Sequence, residues 1–345
     1  MKTPQVGPCT EIWRTKLDEE FCSMTVATLF KATGLSLIVG CEDGMVRVHD
    51  FSGNAPPAPT PQTTLETKSG PIQCLVVHDV TRFYHNDLIV GDSCGMLTVF
   101  CNKQILSRQS LSAESLICVT VIEDNAGSPV IVSSDDTGVI TGVQPTEVLW
   151  RINLNSLSNK NPSLSVKVTC LLSAQMTDPA GNKRQYILAA DNAKRIHLIS
   201  NGTVVSSLVA PSNITAMTQG RFIPSSKLNL PSSNPSASDS EQVALAGANG
   251  AVYIMHNFNV TLDDYVNAKS PITNLCTVHQ PDQSSDLLLC AGNFSSLHLY
   301  RDGQLLTQFP TNDWVSSIAT VDINGDGALE VVIGCMDSTV MALKL

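Results

Sequence analysis

Residues 37–50 read LIVGCEDGMVRVHD, which is an apolar strand ending in a small residue, a short polar turn and a second apolar strand. This pattern occurs seven times along the chain. The later copies are LIVGDSCGMLTVF from Leu88, VIVSSDDTGVITGV from Val130, ILAADNAKRIHLIS from Ile187, ALAGANGAVYIMH from Ala244, LLCAGNFSSLHLY from Leu288 and VVIGCMDSTVMALKL from Val331. The small residues that end the first strands lie 43–57 residues apart, at Gly40, Gly91, Ser134, Ala190, Gly247, Ala291 and Gly334. A repeat of about 40–50 residues built from short strands is typical of a β-propeller, with one four-stranded blade per repeat. The sequence therefore predicts an all-β fold, a seven-bladed β-propeller.

The two ends of the chain suggest how such a ring would close. The seventh copy ends at Leu345 directly after its third strand, so blade 7 lacks a fourth strand of its own. Residues 10–17 read TEIWRTKL and closely resemble residues 146–152, TEVLWRI, which we predict to be the fourth strand of blade 3. We therefore expect residues 10–17 to complete blade 7, which would remove an exposed sheet edge. The prediction is a single domain over residues 1–345.

Two segments depart from the repeat in composition. Residues 53–70 are rich in Pro and Thr, and residues 222–241, which interrupt blade 5 between its first two strands, are rich in Ser and Pro. Segments of this kind bury too little apolar surface to offset the entropy lost on ordering. We expect both to be flexible surface loops. Each is either a spacer or a short partner-binding or phosphorylated segment. Of the two loops, residues 222–241 are the better candidate for partner binding or phosphorylation.

Charge and hydropathy limit the classes of partner. The net charge of −10 and the pI of about 5.1 show no excess of positive charge of the kind that binds nucleic acid or an anionic membrane. No stretch is apolar for long enough to span a bilayer, and the N-terminal segment has no apolar signal core. We expect a cytoplasmic protein whose partners are other proteins, with no nucleic acid and no direct membrane insertion.

The eleven cysteines favour neither disulfides nor zinc. Their number is odd, no CxxC occurs, and no Cys/His cluster has metal-ligand spacing. Cys74, Cys118, Cys170 and Cys276 instead recur at one position of the strand that opens blades 2, 3, 4 and 6. Reduced Cys packs as a small apolar side chain, which suits the crowded axis of a propeller. The pattern predicts structural thiols in a reducing compartment.

One loop carries metal-binding chemistry. Residues 321–330 read VDINGDGALE and place oxygen-bearing side chains at alternating positions, with these candidate ligands being Asp322, Asn324, Asp326 and Glu330. Calcium prefers six to eight oxygens at about 2.3–2.6 Å, and Gly325 and Gly327 permit a tight backbone path around it. The loop is therefore a candidate calcium site. The alternative is a β-turn whose carboxylates cap backbone N–H groups.

This loop resembles the FG-GAP repeat of integrin α-chain propellers, D-x-D/N-x-D-G-x-x-D, with Glu330 in place of the final Asp. The resemblance implies calcium binding. Blade 2 keeps only the ends of the pattern, Asp79 and Asp87, with Arg82 and Tyr84 between them.

More widely, the I-V-G-x-x-D-G-x-V-x-V turn pattern and the D-x-N-G-D-G-x-x-E loop resemble intracellular propellers with degenerate FG-GAP-like or WD-like blades. Such propellers occur in the Bardet–Biedl (BBSome) ciliary trafficking subunits and in the FG-GAP and kaptin subunits of KICSTOR, a nutrient-signalling scaffold on lysosomes. The chain lacks the Trp-Asp and Gly-His pairs of standard WD40 blades. The resemblance implies a complex subunit that reaches a cilium or lysosome through its partners.

Three functions fit these observations. The first is a non-catalytic protein-interaction scaffold in a multi-protein complex of trafficking or signalling. The second is a propeller with calcium-dependent ligand binding. The third is an enzyme with an axial active site, which would need convergent polar groups where the inner strands carry Cys, Ala and Met. We favour the scaffold and assign no catalytic residue and no cofactor other than the candidate calcium.

Overall fold

The computed structural model describes residues 9–51, 55–157, 165–178, 181–224, 241–261, 263–280 and 283–345. Within these ranges the chain forms seven antiparallel sheets, which confirms the predicted seven-bladed propeller. Blade 1 contains β2 (Phe21–Ala27), β3 (Ser36–Cys41), β4 (Met45–Asp50) and β5 (Thr63–Glu66). Blade 2 contains β6 (Ile72–His78), β7 (Asp87–Asp92), β8 (Met96–Cys101) and β9 (Gln104–Ser110). Blade 3 contains β10 (Leu116–Glu123), β11 (Pro129–Asp135), β12 (Val139–Gln144) and β13 (Glu147–Asn153), followed by the one-turn helix α1 (Leu154–Leu157).

The remaining blades repeat this order. Blade 4 contains β14 (Val168–Thr177), β15 (Lys183–Asp191), β16 (Arg195–Ser200) and β17 (Thr203–Val209). Blade 5 contains β18 (Ile214–Gly220), β19 (Gln242–Gly247) and β20 (Ala251–His256), with the short strands β21 (Asn259–Val260) and β22 (Val266–Asn267) both paired to β20. Blade 6 contains β23 (Ile272–Val278), β24 (Leu287–Gly292), β25 (Phe294–Arg301) and β26 (Gln304–Pro310). Blade 7 contains β27 (Val315–Val321), β28 (Glu330–Cys335), β29 (Thr339–Lys344) and β1 (Thr10–Lys16).

The unbroken apolar runs in the repeat arise because the second strand of each blade is covered on both faces. Leu37, Ile38 and Val39 of β3 are all fully buried. Ile38 packs with residues of blade 2, whereas Leu37 and Val39 pack with residues of blade 7. Since successive side chains of a strand point to opposite faces, each blade contributes to the two cores that it shares with its neighbours.

The ring closes as the sequence predicts. Strand β1 pairs antiparallel with β29, with Trp13 opposite Ala342, so the N-terminal segment is the outer strand of blade 7. The backbone N–H of Leu17 extends this contact by donating to the carbonyl of Ser338 at 3.0 Å.

The two predicted loops differ from expectation at their described ends. Residues 63–66 form β5, so treating all of residues 53–70 as a loop was wrong, because the Thr-rich stretch pairs with β4. Residues 225–240 lie outside the described residues. Phe222, the first residue of the other predicted loop, is fully buried, and the side chain of Gln242 accepts hydrogen bonds from the backbone N–H groups of Phe222 and Ile223.

Each face of the ring carries a defined set of loops. Since the strands of a blade are antiparallel, the loops between strands one and two share a face with the turns between strands three and four. The opposite face carries the turns between strands two and three and the connections between blades. Within the described ranges, no helix is long and apolar enough to cross a membrane.

Candidate functional site

The structure brings the four predicted calcium ligands into one loop on the first of these faces, between β27 and β28. Glu330 begins β28 and is buried, and its carboxylate accepts hydrogen bonds from the backbone N–H of Ile323 at 2.9 Å and from the side chain of Asn324 at 3.1 Å. Asp322 accepts hydrogen bonds from the backbone N–H groups of Gly325 and Gly327, at 2.7 and 2.8 Å. In this conformation the acidic groups hold the turn together.

The central acidic residue of this loop is engaged in the same way. Asp326 accepts a hydrogen bond from the backbone N–H of Ala328 at 2.8 Å and another from Asn324 at 3.1 Å, and these two contacts lower the pKa of its carboxyl group. A carboxylate has about four acceptor positions, so these hydrogen bonds hold the turn without using every lone pair of its oxygens. Calcium binding by the loop stays a prediction.

The corresponding loop of blade 2, residues 79–86, has the same acidic ends but a different centre. Asp87 accepts hydrogen bonds from the backbone N–H groups of Val80 and Thr81 at 3.1 and 3.0 Å, in the way that Glu330 accepts one from Ile323. Arg82 and Tyr84 both have left-handed backbone conformations, with φ of 60° and 61°. A left-handed backbone is unfavourable for residues other than glycine and is concentrated at functional sites.

The same loop presents two aromatic side chains to solvent. Phe83 is 63% exposed and Tyr84 is fully exposed. The loop is nevertheless anchored to blade 1, because Phe30 N–H donates to the Asn86 carbonyl at 3.0 Å and the Asn86 side chain donates to the Thr28 carbonyl at 2.8 Å. We call residues 79–86 the blade 2 ridge.

Open grooves flank the blade 2 ridge on both sides. The groove toward blade 1 has a volume of about 620 Å³ and is lined by residues that include Phe30, Lys31 and His85. The groove toward blade 3 has a volume of about 340 Å³ and is lined by residues that include Leu106 and Pro129. Phe83 lines both grooves, so an aromatic side chain stands between two concave surfaces.

A cluster that the sequence did not predict lies at the base of the ridge. The Nε2 atom of His85 is 3.7 Å from the sulfur of Cys101, and one carboxylate oxygen of Asp87 lies within 4.8 Å of both. The pKa of the Cys101 thiol is raised, first because burial disfavours the thiolate and then because the Asp87 carboxylate is close. The cluster follows from the pairing of β7 with β8. Leu88 lies opposite Phe100, so the next pair outward is Asp87 with Cys101.

The inner-strand thiols are only partly as predicted. Cys74, Cys118 and Cys170 share one position, opposite Gly91, Ser134 and Ala190. Cys276 lies two residues farther along its strand, opposite Leu289, so assigning all four to one position was wrong.

The bulge follows the first residue of the inner strand in all four blades, and in blade 6 the residue after it is Asn274, so Cys276 comes two residues later. A similar shift of one residue makes Ala246, rather than Gly247, the blade 5 counterpart of Gly91. All eleven thiols are free, and burial raises the pKa of each of these four inner-strand thiols.

A buried Asp–His–Ser chain occurs in blade 4. His197 lies 3.0 Å from Asp191 through Nε2 and 2.8 Å from Ser207 through Nδ1. Asp191 also accepts the backbone N–H groups of the turn that follows it, and Asp92 and Asp135 accept equivalent groups in blades 2 and 3 without a histidine beside them. The carboxylate therefore has a structural role in holding the turn, and the chain runs from the end of the second strand to the third and fourth strands, away from the innermost strand.

Comparisons with known proteins define the fold. No protein-family model matches the chain, and neither does any curated protein. Among solved structures, BBS1N in complex with ARL6DN has 12% sequence identity and a TM-score of 0.69, over 98% of this chain and 96% of that one. The WD40 β-propeller domain of Doa1 has 11% identity and a TM-score of 0.65, over 97% of this chain and 96% of that one. The chain is therefore similar in fold, over nearly its whole length, to the BBS1N propeller and to a WD40 propeller, as the sequence resemblance implied.

Proposed function

We propose that the protein is a non-catalytic interaction scaffold, a cytoplasmic subunit of a multi-protein complex in trafficking or signalling. The observation that carries this proposal is the blade 2 ridge, where Phe83 and Tyr84 are presented to solvent between two grooves. Exposed aromatic side chains beside concave surfaces are common anchors of protein–protein interfaces. The BBS1N propeller, solved in complex with ARL6DN, supports the proposal as a case in which this fold binds a protein.

The rigidity of the ridge favours binding. The contacts of Asn86 with blade 1 and of Asp79 with the backbone N–H groups of Phe83 and Tyr84 fix the loop before a partner arrives. A preorganised loop loses less conformational entropy on binding. Because Lys31 and Arg82 are exposed beside the aromatic pair, the partner surface should combine an apolar cleft with an acidic rim.

The experiment is a comparison of two surface variants. Partners would be captured from cells with the wild-type protein, identified by mass spectrometry, purified and tested for direct binding by calorimetry. The double variant Phe83→Ser, Tyr84→Ser should weaken binding by roughly 30-fold or more, which is the effect of losing about 2 kcal/mol at a hot spot. The matched control is Trp314→Ala, which removes an exposed aromatic side chain in the connection between blades 6 and 7, on the opposite face.

Two results would contradict the proposal in different ways. Unchanged affinity of the ridge variant would remove the ridge as the docking site. Loss of affinity with Trp314→Ala alone would move the interface to the opposite face.

A further inference from the structure

We propose that His85, Asp87 and Cys101 form a binding site for a divalent transition metal of the zinc class. The three side chains offer one imidazole nitrogen, one carboxylate oxygen and one thiolate sulfur, and these atoms all lie within 4.8 Å of one another. Zinc is bound by these three atom types. The site is separate from the candidate calcium loop, which lies in blade 7.

The spacing of the donor atoms suits a tetrahedral ion. A zinc ion with bonds of about 2.0–2.3 Å holds its ligand atoms roughly 3.3–3.8 Å apart. The distance between His85 Nε2 and Cys101 Sγ is 3.7 Å, so these two ligands already have the required separation. The carboxylate oxygen of Asp87 lies within 4.8 Å of both atoms, so it would move closer to them to become the third ligand.

One oxygen of Asp87 accepts no backbone N–H in the described structure. Asp87 is fully buried, and its Oδ2 atom accepts the two backbone N–H groups of Val80 and Thr81. Its Oδ1 atom is buried and has no well-formed hydrogen bond among the described residues, and the group that interacts with this carboxylate from the other side is the Cys101 thiol. Leaving a buried carboxylate oxygen without a donor is costly. A cation at this point would satisfy it.

The imidazole of His85 is held in the tautomer that a metal ligand needs. Its Nδ1 atom lies 2.9 Å from the carbonyl oxygen of Phe83, which can only accept a hydrogen bond, so Nδ1 carries the proton. The lone pair of Nε2 is therefore directed at Cys101. Metal-binding histidines typically donate their second ring N–H to a carbonyl or carboxylate in this way.

The donor set selects the class of metal, and the surroundings permit its entry. Calcium and magnesium take oxygen ligands only, whereas nitrogen and sulfur ligands favour zinc and related transition metals. His85 and Cys101 are only half-buried, and His85 lines the groove toward blade 1, which connects the site to solvent. Three protein ligands leave the fourth coordination position of the ion for a water molecule. When the sulfur of Cys101 binds the ion, its thiol proton passes to solvent.

A bound metal would tie the base of the blade 2 ridge to the third strand of its blade. Cys101 ends β8, Asp87 begins β7, and His85 lies two residues before that strand. The metal site does not depend on the proposed scaffold function, since it can be measured without any protein partner.

The test measures zinc directly on the purified full chain. The protein would be stripped with a chelator under reducing conditions, equilibrated with zinc, passed through a desalting column and analysed for metal by mass spectrometry. Cobalt, added to stripped protein, would report a thiolate ligand through its charge-transfer absorption. We compare wild type with His85→Ala and Cys101→Ser. The matched controls are His279→Ala, in the corresponding loop of blade 6 beside buried Asp286, and Cys94→Ser, an exposed thiol of the same blade.

We expect wild type and both controls to retain one zinc ion per chain and to show the cobalt–thiolate band. The His85 and Cys101 variants should bind at least roughly 10–100-fold more weakly, a loss that even an outer-shell contact produces. The stripped variants should melt like stripped wild type, which would show that they are folded. Failure of the wild type to retain zinc would overturn the proposal, and so would equal losses in the control variants.

Discussion

Trp13 in the first strand lies opposite Ala342 in the last strand, so the two ends of the chain share one sheet. Trp13 is nearly fully buried, and its ring meets that of Phe51 in blade 1 edge to face, with centroids 5.7 Å apart. The closing strand therefore belongs to the core between blades 7 and 1 as well as to the hydrogen-bonded ladder of blade 7.

Deleting residues 1–17 should destabilise the whole ring. Burial of a tryptophan contributes about 3–5 kcal/mol, and the deletion also leaves the β29 edge unpaired. We expect a protein that aggregates or has a much lower Tm in a thermal melt. Deleting only residues 1–8, which keeps β1 whole, is the control and should melt well above the 1–17 deletion. A 1–17 deletion that melts like wild type would contradict the closure.

Most of the fold could be predicted because the same burial pattern recurs in all seven repeats. Each second strand is buried on both faces, so a run such as Leu37, Ile38 and Val39 is apolar without alternation. The extra strand at residues 10–17 was predictable because blade 7 lacked one. The outer strand β5 was not, because its sequence, TTLE, continues a Pro- and Thr-rich segment and is too short to show a pattern.

The candidate site was predictable only in part. Acidic residues in the blade 7 loop follow a local spacing, which a sequence displays directly. Cys101 and His85 are brought together by the pairing of β7 with β8, and ligand spacing along the chain does not reveal such a contact. Phe83 and Tyr84 are exposed on a loop with left-handed backbone at Arg82 and Tyr84, a conformation that no residue type in the loop indicates.

The inner-strand thiols should be unreactive in the folded protein. The pKa of Cys276 is raised to about 11 by burial, so at pH 8 on the order of one thiol in a thousand is ionised. We expect Cys74, Cys118, Cys170 and Cys276 to react with a maleimide or iodoacetamide reagent only after denaturation, as measured by peptide mass spectrometry. Exposed Cys94 should react in the native state and serves as the internal control. Rapid native labelling of all four would show that they do not pack at the axis.

Calcium should have little effect on stability if the blade 7 loop keeps its hydrogen bonds. The carboxylates of Asp322 and Glu330 already accept backbone N–H groups, so the loop is held in its turn without a cation. We expect millimolar calcium to shift Tm only slightly, in wild type and in Asp326→Ala alike. A large calcium-dependent rise in Tm that disappears in Asp326→Ala would instead establish an occupied calcium site, because a ligand that binds only the folded state stabilises it.

The ion pair between Arg221 and Asp286 should make stability depend on acid pH. Asp286 is fully buried, and Arg221 donates to it at 2.9 Å from the guanidinium and at 2.9 Å from the backbone N–H. Burial alone would raise the pKa of Asp286, but the hydrogen bonds from Arg221 and from the Gln280 N–H outweigh it, and the pKa is lowered below 3.8. The ionised carboxylate therefore stabilises the fold above about pH 4, and this contribution is lost as the pH falls through the lowered pKa.

Replacing Arg221 with Gln removes the charged partner and leaves burial to dominate at Asp286, so that the carboxyl group becomes easier to protonate. We expect Arg221→Gln to cost about 1–3 kcal/mol at pH 7 and to lose most of that deficit as the pH falls through the lowered pKa of wild-type Asp286, below which the carboxyl group is neutral in both proteins. Urea unfolding at several pH values measures this difference. The control is Arg184→Gln, whose guanidinium lies 4.0 Å from Asp178 and is largely exposed, and which should change stability by less than about 0.5 kcal/mol at every pH. A deficit for Arg221→Gln that stays the same from pH 7 to the lowest pH at which both proteins remain folded would show that the guanidinium acts through packing and not through the charge of Asp286.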